Sequence, residues 1–148
     1  MKTVKRRIVS VLVIFVITLL LGACGILDDA AKLEVYDFGN DQIPSFTSIV
    51  GERKVTGVDT GSRTGGVTYK NYTYETTSLT EDVDAYFATL KDAGFLVTKA
   101  SEGNLFKGTL EVGCNSTDEG QAILIGLDWD NTKLTVSIVK GDGSITAN

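Results

Sequence analysis

Cys24 offers the most readable chemistry in this sequence, because its thiol follows a basic start, an apolar run and two small residues. The apolar run extends almost unbroken from Ile8 to Leu21, and Gly22 and Ala23 separate it from the cysteine. The basic start consists of Lys2, Lys5, Arg6 and Arg7. This order is typical of an export signal. Basic residues before an apolar run stay cytoplasmic, so the remainder of the chain is predicted to cross the membrane.

The tetrapeptide Leu21-Gly22-Ala23-Cys24 resembles the lipobox of bacterial lipoproteins. The resemblance implies that a diacylglyceryl group alkylates the Cys24 thiol, that the peptide is cut before this residue, and that acyl chains such as palmitate hold the protein at the cell membrane, facing the extracytoplasmic side. It implies a signal peptide over residues 1–23 and a lipidated tether over residues 24–32. Residues 33–148 remain as a single globular domain.

Two alternatives to lipidation stay open. Ile8 to Leu27 is about 20 residues, or roughly 30 Å as a helix, which is long enough for an uncleaved transmembrane anchor. A conventionally cleaved, secreted form is the other alternative. The glycines at positions 22 and 25 and the acidic pair at 28 and 29 favour cleavage. All three alternatives place the domain outside the cytoplasm.

The charge of the mature chain excludes one class of partner. Residues 1–23 hold four of the 14 basic residues and none of the 19 acidic ones, so residues 24–148 carry a net charge of −9. Such a surface repels nucleic acid and anionic lipid headgroups. We therefore expect no nucleic-acid partner, and we expect the membrane to be contacted through the lipid on Cys24 rather than through the domain surface.

Other reactive groups in the sequence do not form a recognisable catalytic set. Histidine, the commonest general base, is absent. If Cys24 is lipidated, Cys114 has no intramolecular disulfide partner; the interpretations are a reactive thiol, an intermolecular bridge or a partly buried small residue near a turn. The last is favoured, since there is no histidine to activate a thiolate.

Two further groups of residues resemble parts of a calcium site and of a nucleophile motif. Asp128, Asp130 and Asn131 have hard oxygens suitable for calcium, but Lys133 stands where an EF-hand loop needs glycine, and a hairpin turn uses the same residue types. The fragment from Gly141 to Ser144 lies near the C-terminus with no helix after it, unlike a nucleophile elbow. The sequence therefore predicts no catalytic, metal or cofactor-binding residues and no cofactor.

The first part of the domain is predicted to be irregular. Residues 25–32 have little apolar patterning and predict a tether that does not pack. Phe46 to Val50 and Lys54 to Val58 predict two short strands, and the small, polar residues from Asp59 to Gly66 predict a flexible loop.

The second part has clearer periodicity. Val67 to Thr76 is rich in Thr and Tyr and predicts a strand. From Thr80 to Ala93 the period changes to that of an amphipathic helix, capped at Ser78 with Glu81 or at Thr80 and ended by Gly94. Its predicted buried stripe consists of Val83, Phe87, Leu90 and Gly94.

Two hairpins complete the pattern. Phe95 to Lys99 and Asn104 to Val112 predict one strand pair, and Gln121 to Trp129 and Lys133 to Lys140 predict another. The predicted sheet side of the core comprises Phe95, Val97, Phe106, Leu110, Ile123, Ile125, Leu127, Trp129, Leu134, Val136 and Ile138. The fold class is α+β, with an antiparallel sheet of four to six strands, one helix packed on one face, and a β-α-β-β-β core preceded by N-terminal strands.

The order of Tyr-rich strand, capped helix from Asp82 to Gly94 and three further strands resembles the C-terminal part of small lipoproteins of Gram-positive bacteria, over residues 45–141. The expected function is a membrane-anchored, non-enzymatic module that binds a protein or envelope polymer or has a structural role. The alternative is a carboxylate-based hydrolase or an enzyme accessory protein at the cell envelope. A candidate binding surface is the sheet face opposite the helix, on which Thr109, Thr135 and Ser137 are predicted to lie.

Overall fold

The computed structural model describes residues 25–147, and Cys24 with the expected signal lies outside this range. Residues 25–31 form the described part of a first helix, α1, and Ala30 is buried against the core. The expectation that this stretch does not pack was therefore wrong. Its apolar residues Leu27 and Ala31 are also partly buried against the core. No helix of the described range is both long and apolar enough to span a membrane.

A small N-terminal unit follows α1. Strands β1 (Val35–Phe38) and β2 (Asp41–Pro44) form an antiparallel hairpin, and helix α2 spans Phe46–Val50. The prediction of a strand from Phe46 to Val50 was wrong. Ser45 caps the helix, since its hydroxyl accepts a hydrogen bond from the Ser48 amide at 3.0 Å. The β-branched and aromatic composition suggested a strand, but this cap and the burial of Phe46 determine the helix.

The rest of the chain forms a six-stranded antiparallel sheet and a long helix. The elements are β3 (Lys54–Arg63), β4 (Val67–Glu75), α3 (Leu79–Asp92), β5 (Leu96–Gly103), β6 (Lys107–Asn115), β7 (Gln121–Asp130) and β8 (Lys133–Asp142). The strand order is β3-β4-β8-β7-β6-β5. The predicted α+β class with an antiparallel sheet is confirmed.

Strand β3 is longer than expected. The segment predicted as a flexible loop continues the strand to Arg63, which pairs with Val67, and only the residues between them form the turn. Gly65 and Gly66 both have positive φ there. Small polar residues do not prevent strand pairing when the partner strand is as strongly β-forming as β4.

The N-terminal unit and α3 pack on the same face of the sheet. Tyr36 stacks on Tyr72 with 4.7 Å between ring centroids, and Phe46 lies 4.8 Å from Tyr74 and edge-on to Tyr86 at 5.5 Å. The predicted alternation of β7 and β8 is confirmed by their burial on this face. The buried residues of the two strands are Ile123, Ile125, Leu127, Leu134, Val136 and Ile138.

The opposite face of the sheet is not covered by the N-terminal unit. Register places Thr109, Asp128, Thr135 and Thr73 in one row across four strands on this face. Tyr36 and Phe46 of that unit pack on the helix side instead. These four residues thus share a face with the half-buried Ser137.

The predicted buried stripe of α3 is partly correct. Val83 and Leu90 are buried as predicted, together with Leu79 and Tyr86, whereas Phe87 is half-buried and Gly94 is exposed. The Ser78 side chain makes no capping hydrogen bond. Gly94 has the expected left-handed conformation, with φ of 91°.

Candidate functional site

A groove of about 640 Å³ opens between the first half of α3 and the β5–β6 hairpin. Its apolar lining comes from α3, β5, β6, β7 and the β5–β6 turn. The residues are Leu79, Val83, Phe87, Val97, Ala100, Leu105, Leu110 and Trp129. A largely apolar concavity of several hundred Å³ with a few polar groups is the usual form of a small-molecule site.

The groove lies beside an irregularly paired part of β5. The register of β5 on β6 shifts twice, between Val97 and Lys99 and between Lys99 and Glu102. Val97 and Phe106 were predicted to be core residues, but they are 48% and 69% exposed. The prediction that both are core residues was therefore wrong: Val97 lines the groove, whereas Phe106 is not part of the lining. Shifts of register of this kind increase strand bending and disturb packing.

Two glycines shape the end of the hairpin. Gly103 has φ of 115°, and a Cβ there would lie 2.2 Å from the Lys107 carbonyl oxygen. At Gly108 a Cβ would lie 2.4 Å from Cζ2 of Trp129, so the indole rests directly over this glycine. Larger residues at either position would move the wall of the groove.

Trp129 joins the floor of the groove to the turn. Its indole Nε1 donates a hydrogen bond to the Asn104 carbonyl at 3.0 Å. The Asn104 side chain in turn accepts from the amides of Phe106 and Lys107, at 2.8 and 3.0 Å. These bonds fix the turn relative to β7 even though its apolar side chains are exposed.

The polar part of the lining is small and carries one charge. Thr80, Asp84, Ser101 and Asn104 supply it, and Asp84 is the one charged residue among the described groove residues. This arrangement favours ligands that are neutral or carry a positive group, since an anion would meet an uncompensated carboxylate.

The other residues with possible chemistry lie outside the groove lining. Cys114 has a half-buried, free thiol near the end of β6, which agrees with its interpretation as a partly buried small residue near a turn. Burial, together with the nearby negative charge of Asp41, raises the pKa of this thiol, which disfavours the reactive thiolate.

The possible calcium ligands lie at the end of β7 and in the β7–β8 turn, and the nucleophile-like fragment lies at the end of β8. Asp130 lies 3.6 Å from the Lys107 ammonium and accepts from the Asn131 side chain. Asn131 occupies the β7–β8 turn with φ of 57°, as its residue type allows. Asp142 ends β8, and Gly143 donates its amide to the Gly120 carbonyl. Within residues 25–147, no three acidic or cysteine residues are grouped to hold a metal ion.

The two buried carboxylates serve as internal ion pairs. Asp82 accepts two hydrogen bonds from the Arg53 guanidinium, at 2.7 and 2.8 Å. Asp41 lies 2.7 Å from the Lys140 ammonium, which also contacts Asp118. Neither pair lines the groove.

Sequence reasoning assigned the groove residues to elements but did not find the groove. The available signal was the adjacent pair Leu105 and Phe106 next to Gly103 and Asn104, because two large apolar residues in a turn are not explained by turn formation.

No protein-family model, no curated protein and no solved structure matches this chain.

Proposed function

We propose that this chain is a lipid-anchored extracytoplasmic binding protein that takes a small, mainly apolar ligand in the groove beside α3. The groove is the observation that supports the proposal: eight apolar side chains and a few polar groups line about 640 Å³ of open space. The anchor is Cys24, on the basis of its sequence context. In this proposal the protein binds a ligand without transforming it.

The groove chemistry sets the ligand class. Its volume lies within the range of about 300–1,000 Å³ that holds drug-sized molecules. Asp84 at the edge disfavours ligands with a carboxylate or phosphate and favours neutral or amine-bearing ones. A carboxylate-based hydrolase would need two acids facing each other, and the described lining contributes only this one. That supports binding over hydrolysis.

The anchor is tested by metabolic labelling with a fatty-acid analogue in a bacterial host. Cys24→Ala should abolish labelling and processing, because it removes the thiol that receives the lipid. Cys114→Ala is the matched control and should label like the wild type. Equal labelling of the Cys24→Ala variant would remove the lipid anchor from the proposal.

The groove is tested with two fluorescent probes of similar size, neutral N-phenyl-1-naphthylamine and anionic anilinonaphthalenesulfonate. The neutral probe should bind with a blue-shifted emission and alter Trp129 fluorescence. Phe87→Ala should weaken its binding about tenfold, since loss of apolar contact area worth roughly 1.4 kcal/mol corresponds to that factor. Ala88→Ser, an exposed position on the same helix outside the groove lining, should have no effect.

Asp84→Asn tests the predicted charge preference. It should strengthen binding of the anionic probe and leave the neutral probe unchanged. If neither probe binds the wild type, or if Phe87→Ala leaves binding intact, the groove is not the binding site.

A further inference from the structure

The β5–β6 turn exposes two neighbouring large apolar side chains. Leu105 is 66% exposed and Phe106 69%, the highest values for large apolar residues in the described range. They do not move freely, since the Phe106 amide is bonded to Asn104 and its carbonyl accepts from the Asn131 amide. A bonded turn that holds two neighbouring apolar side chains in solvent is typical of a surface that contacts an apolar partner.

Helix α1, which leads toward the proposed anchor, ends at the same end of the sheet, and its rise of about 1.5 Å per residue keeps Gly25 within about 10 Å of Ala31. Ala31 and Leu33 line one depression with Glu52, which is two residues before β3 begins. From Lys54, at the start of β3, paired residues run through Glu75, Lys133 and Asp130 to Lys107, directly after the turn. Four inter-strand spacings put Lys54 and Lys107 about 19 Å apart. One flat surface can therefore contact both.

Part of the charge at this end is neutralised by ion pairs. Four ion pairs neutralise charges there, with N–O distances from 2.7 to 3.6 Å: Arg53–Asp82, Lys54–Glu75, Lys99–Glu102 and Lys107–Asp130. The expectation that the domain avoids the membrane came from the total charge of −9, which says nothing about how the charge is distributed. Apolar insertion also needs no attraction between opposite charges.

We infer that the β5–β6 turn inserts Leu105 and Phe106 into the outer leaflet of the same bilayer that holds the lipid on Cys24. The inference rests on the lipid anchor of the proposed function. The occupant of this apolar surface is thus the lipid bilayer, contacted at two points of one end of the domain. Because Leu105 also lines the groove, the groove opens beside the membrane surface, where apolar ligands concentrate.

Trp129 is the only tryptophan of the chain and is bonded to the turn, which makes it a natural reporter. The lipidated protein, purified from membranes, is reconstituted into phosphatidylcholine vesicles with or without a nitroxide on the lipid headgroup. The nitroxide should quench most of the Trp129 emission in the wild type. Phe106→Ser combined with Leu105→Ser should lose at least half of that quenching, whereas the conservative Phe106→Leu should retain it.

Leu96→Ser is the matched control, because Leu96 is an exposed apolar residue at the other end of β5. It should quench like the wild type. Equal quenching of the double serine variant would overturn membrane insertion. So would a dimer in detergent that this variant dissociates, since the turn would then contact a second copy of the chain. Fatty-acid labelling of the same preparation separates these outcomes from failure of the anchor, which would leave the protein unlabelled.

Discussion

At the scale of single residues, the best-defined chemistry of the domain lies in a buried charge cluster remote from the groove. Asp41, in the N-terminal hairpin, accepts from Ser116 at 2.5 Å and from the Thr117 amide and hydroxyl at 2.8 Å, in addition to Lys140. Lys140 also donates to the Phe38 carbonyl. These bonds satisfy both buried charges and fasten the hairpin to the main sheet, so their role is structural.

The protonation of Asp41 follows from these contacts. Burial on its own would raise the pKa of the Asp41 carboxyl, but the hydrogen bonds from Lys140, Ser116 and Thr117 outweigh it and hold that pKa far below its ordinary value of 3.8. A depressed folded-state pKa gives a stabilisation that is complete above the unfolded-state pKa and is lost as the pH falls below it.

Asp41→Asn should therefore destabilise the domain by about 2 to 3 kcal/mol at pH 7. The value lies slightly below the usual cost of breaking a buried pair, since Lys140 keeps Asp118 and a carbonyl as partners. In urea unfolding at a series of pH values, the gap from the wild type should be constant above about pH 5 and narrow as the pH falls below about 4. Glu119→Gln, at an exposed position nearby, is the control. A pH-independent gap would show that Asp41 charge is not the cause.

At the scale of elements, α3 divides its apolar residues between the core and the groove. Leu90 is fully buried, whereas Phe87 lies half-buried in the groove lining with the Lys91 ammonium 5.5 Å from its ring centroid. Replacing a fully buried phenylalanine by alanine typically costs about 3–5 kcal/mol. The cost at Phe87 should be smaller, because a side chain facing open space leaves little new cavity.

Leu90→Ala should cost about 3 kcal/mol in urea unfolding, since it leaves a cavity in the core. Phe87→Ala should cost only about 1 kcal/mol, in proportion to the apolar area that it buries. Both midpoints are compared at a constant urea m-value. An equal or reversed order of the two losses would mean that the helix is rotated relative to the groove.

The β5–β6 hairpin offers a second test, because Gly108 lets its backbone approach the Trp129 indole closely. Gly108→Ala should destabilise the domain by about 1–3 kcal/mol, since the new methyl would overlap the Trp129 indole. Displacement of the indole should also shift its emission. Gly126→Ala is the matched control, because a Cβ there has nothing closer than 3.9 Å, and it should be neutral or slightly stabilising. Unchanged emission in the Gly108→Ala variant would contradict this packing.

The limits of sequence reasoning also lie at this scale. Strict alternation in β7 and β8 predicted both their pairing and the face that they bury, because one buried face fixes strand register. Phe46–Val50 was misassigned, since a single serine cap outweighed strand-like composition. The groove was missed because it arises from shifts in strand pairing, and Val97 and Phe106 look in sequence like the buried residues beside them.

At the scale of the whole molecule, one apolar core joins parts that topology keeps apart. The β1–β2 hairpin is a separate sheet, yet Tyr36 bonds to Tyr74 through their hydroxyls at 2.7 Å, and the Tyr86 hydroxyl reaches the Pro44 carbonyl. Burial strongly raises the pKa of both Tyr36 and Tyr86, with nearby tyrosines adding to the shift, so these hydroxyls stay protonated and able to donate.

The domain should therefore unfold as one cooperative unit that includes its N-terminal hairpin. Trp129 emission reports the groove end, and native-state hydrogen exchange reports the hairpin and strand β7 separately. In the wild type, the opening free energy of the amides paired between β1 and β2 should match that of β7 within about 1 kcal/mol, because buried contacts couple the two sheets. In Tyr36→Phe the hairpin loses its hydroxyl contacts to Tyr74 and to the Phe46 amide, at 2.7 and 3.1 Å, so its amides should become the first to open. If the wild-type hairpin already opened several kcal/mol below β7, the N-terminal unit would be an independent flap, and the core contacts described for Tyr36 would not determine its stability.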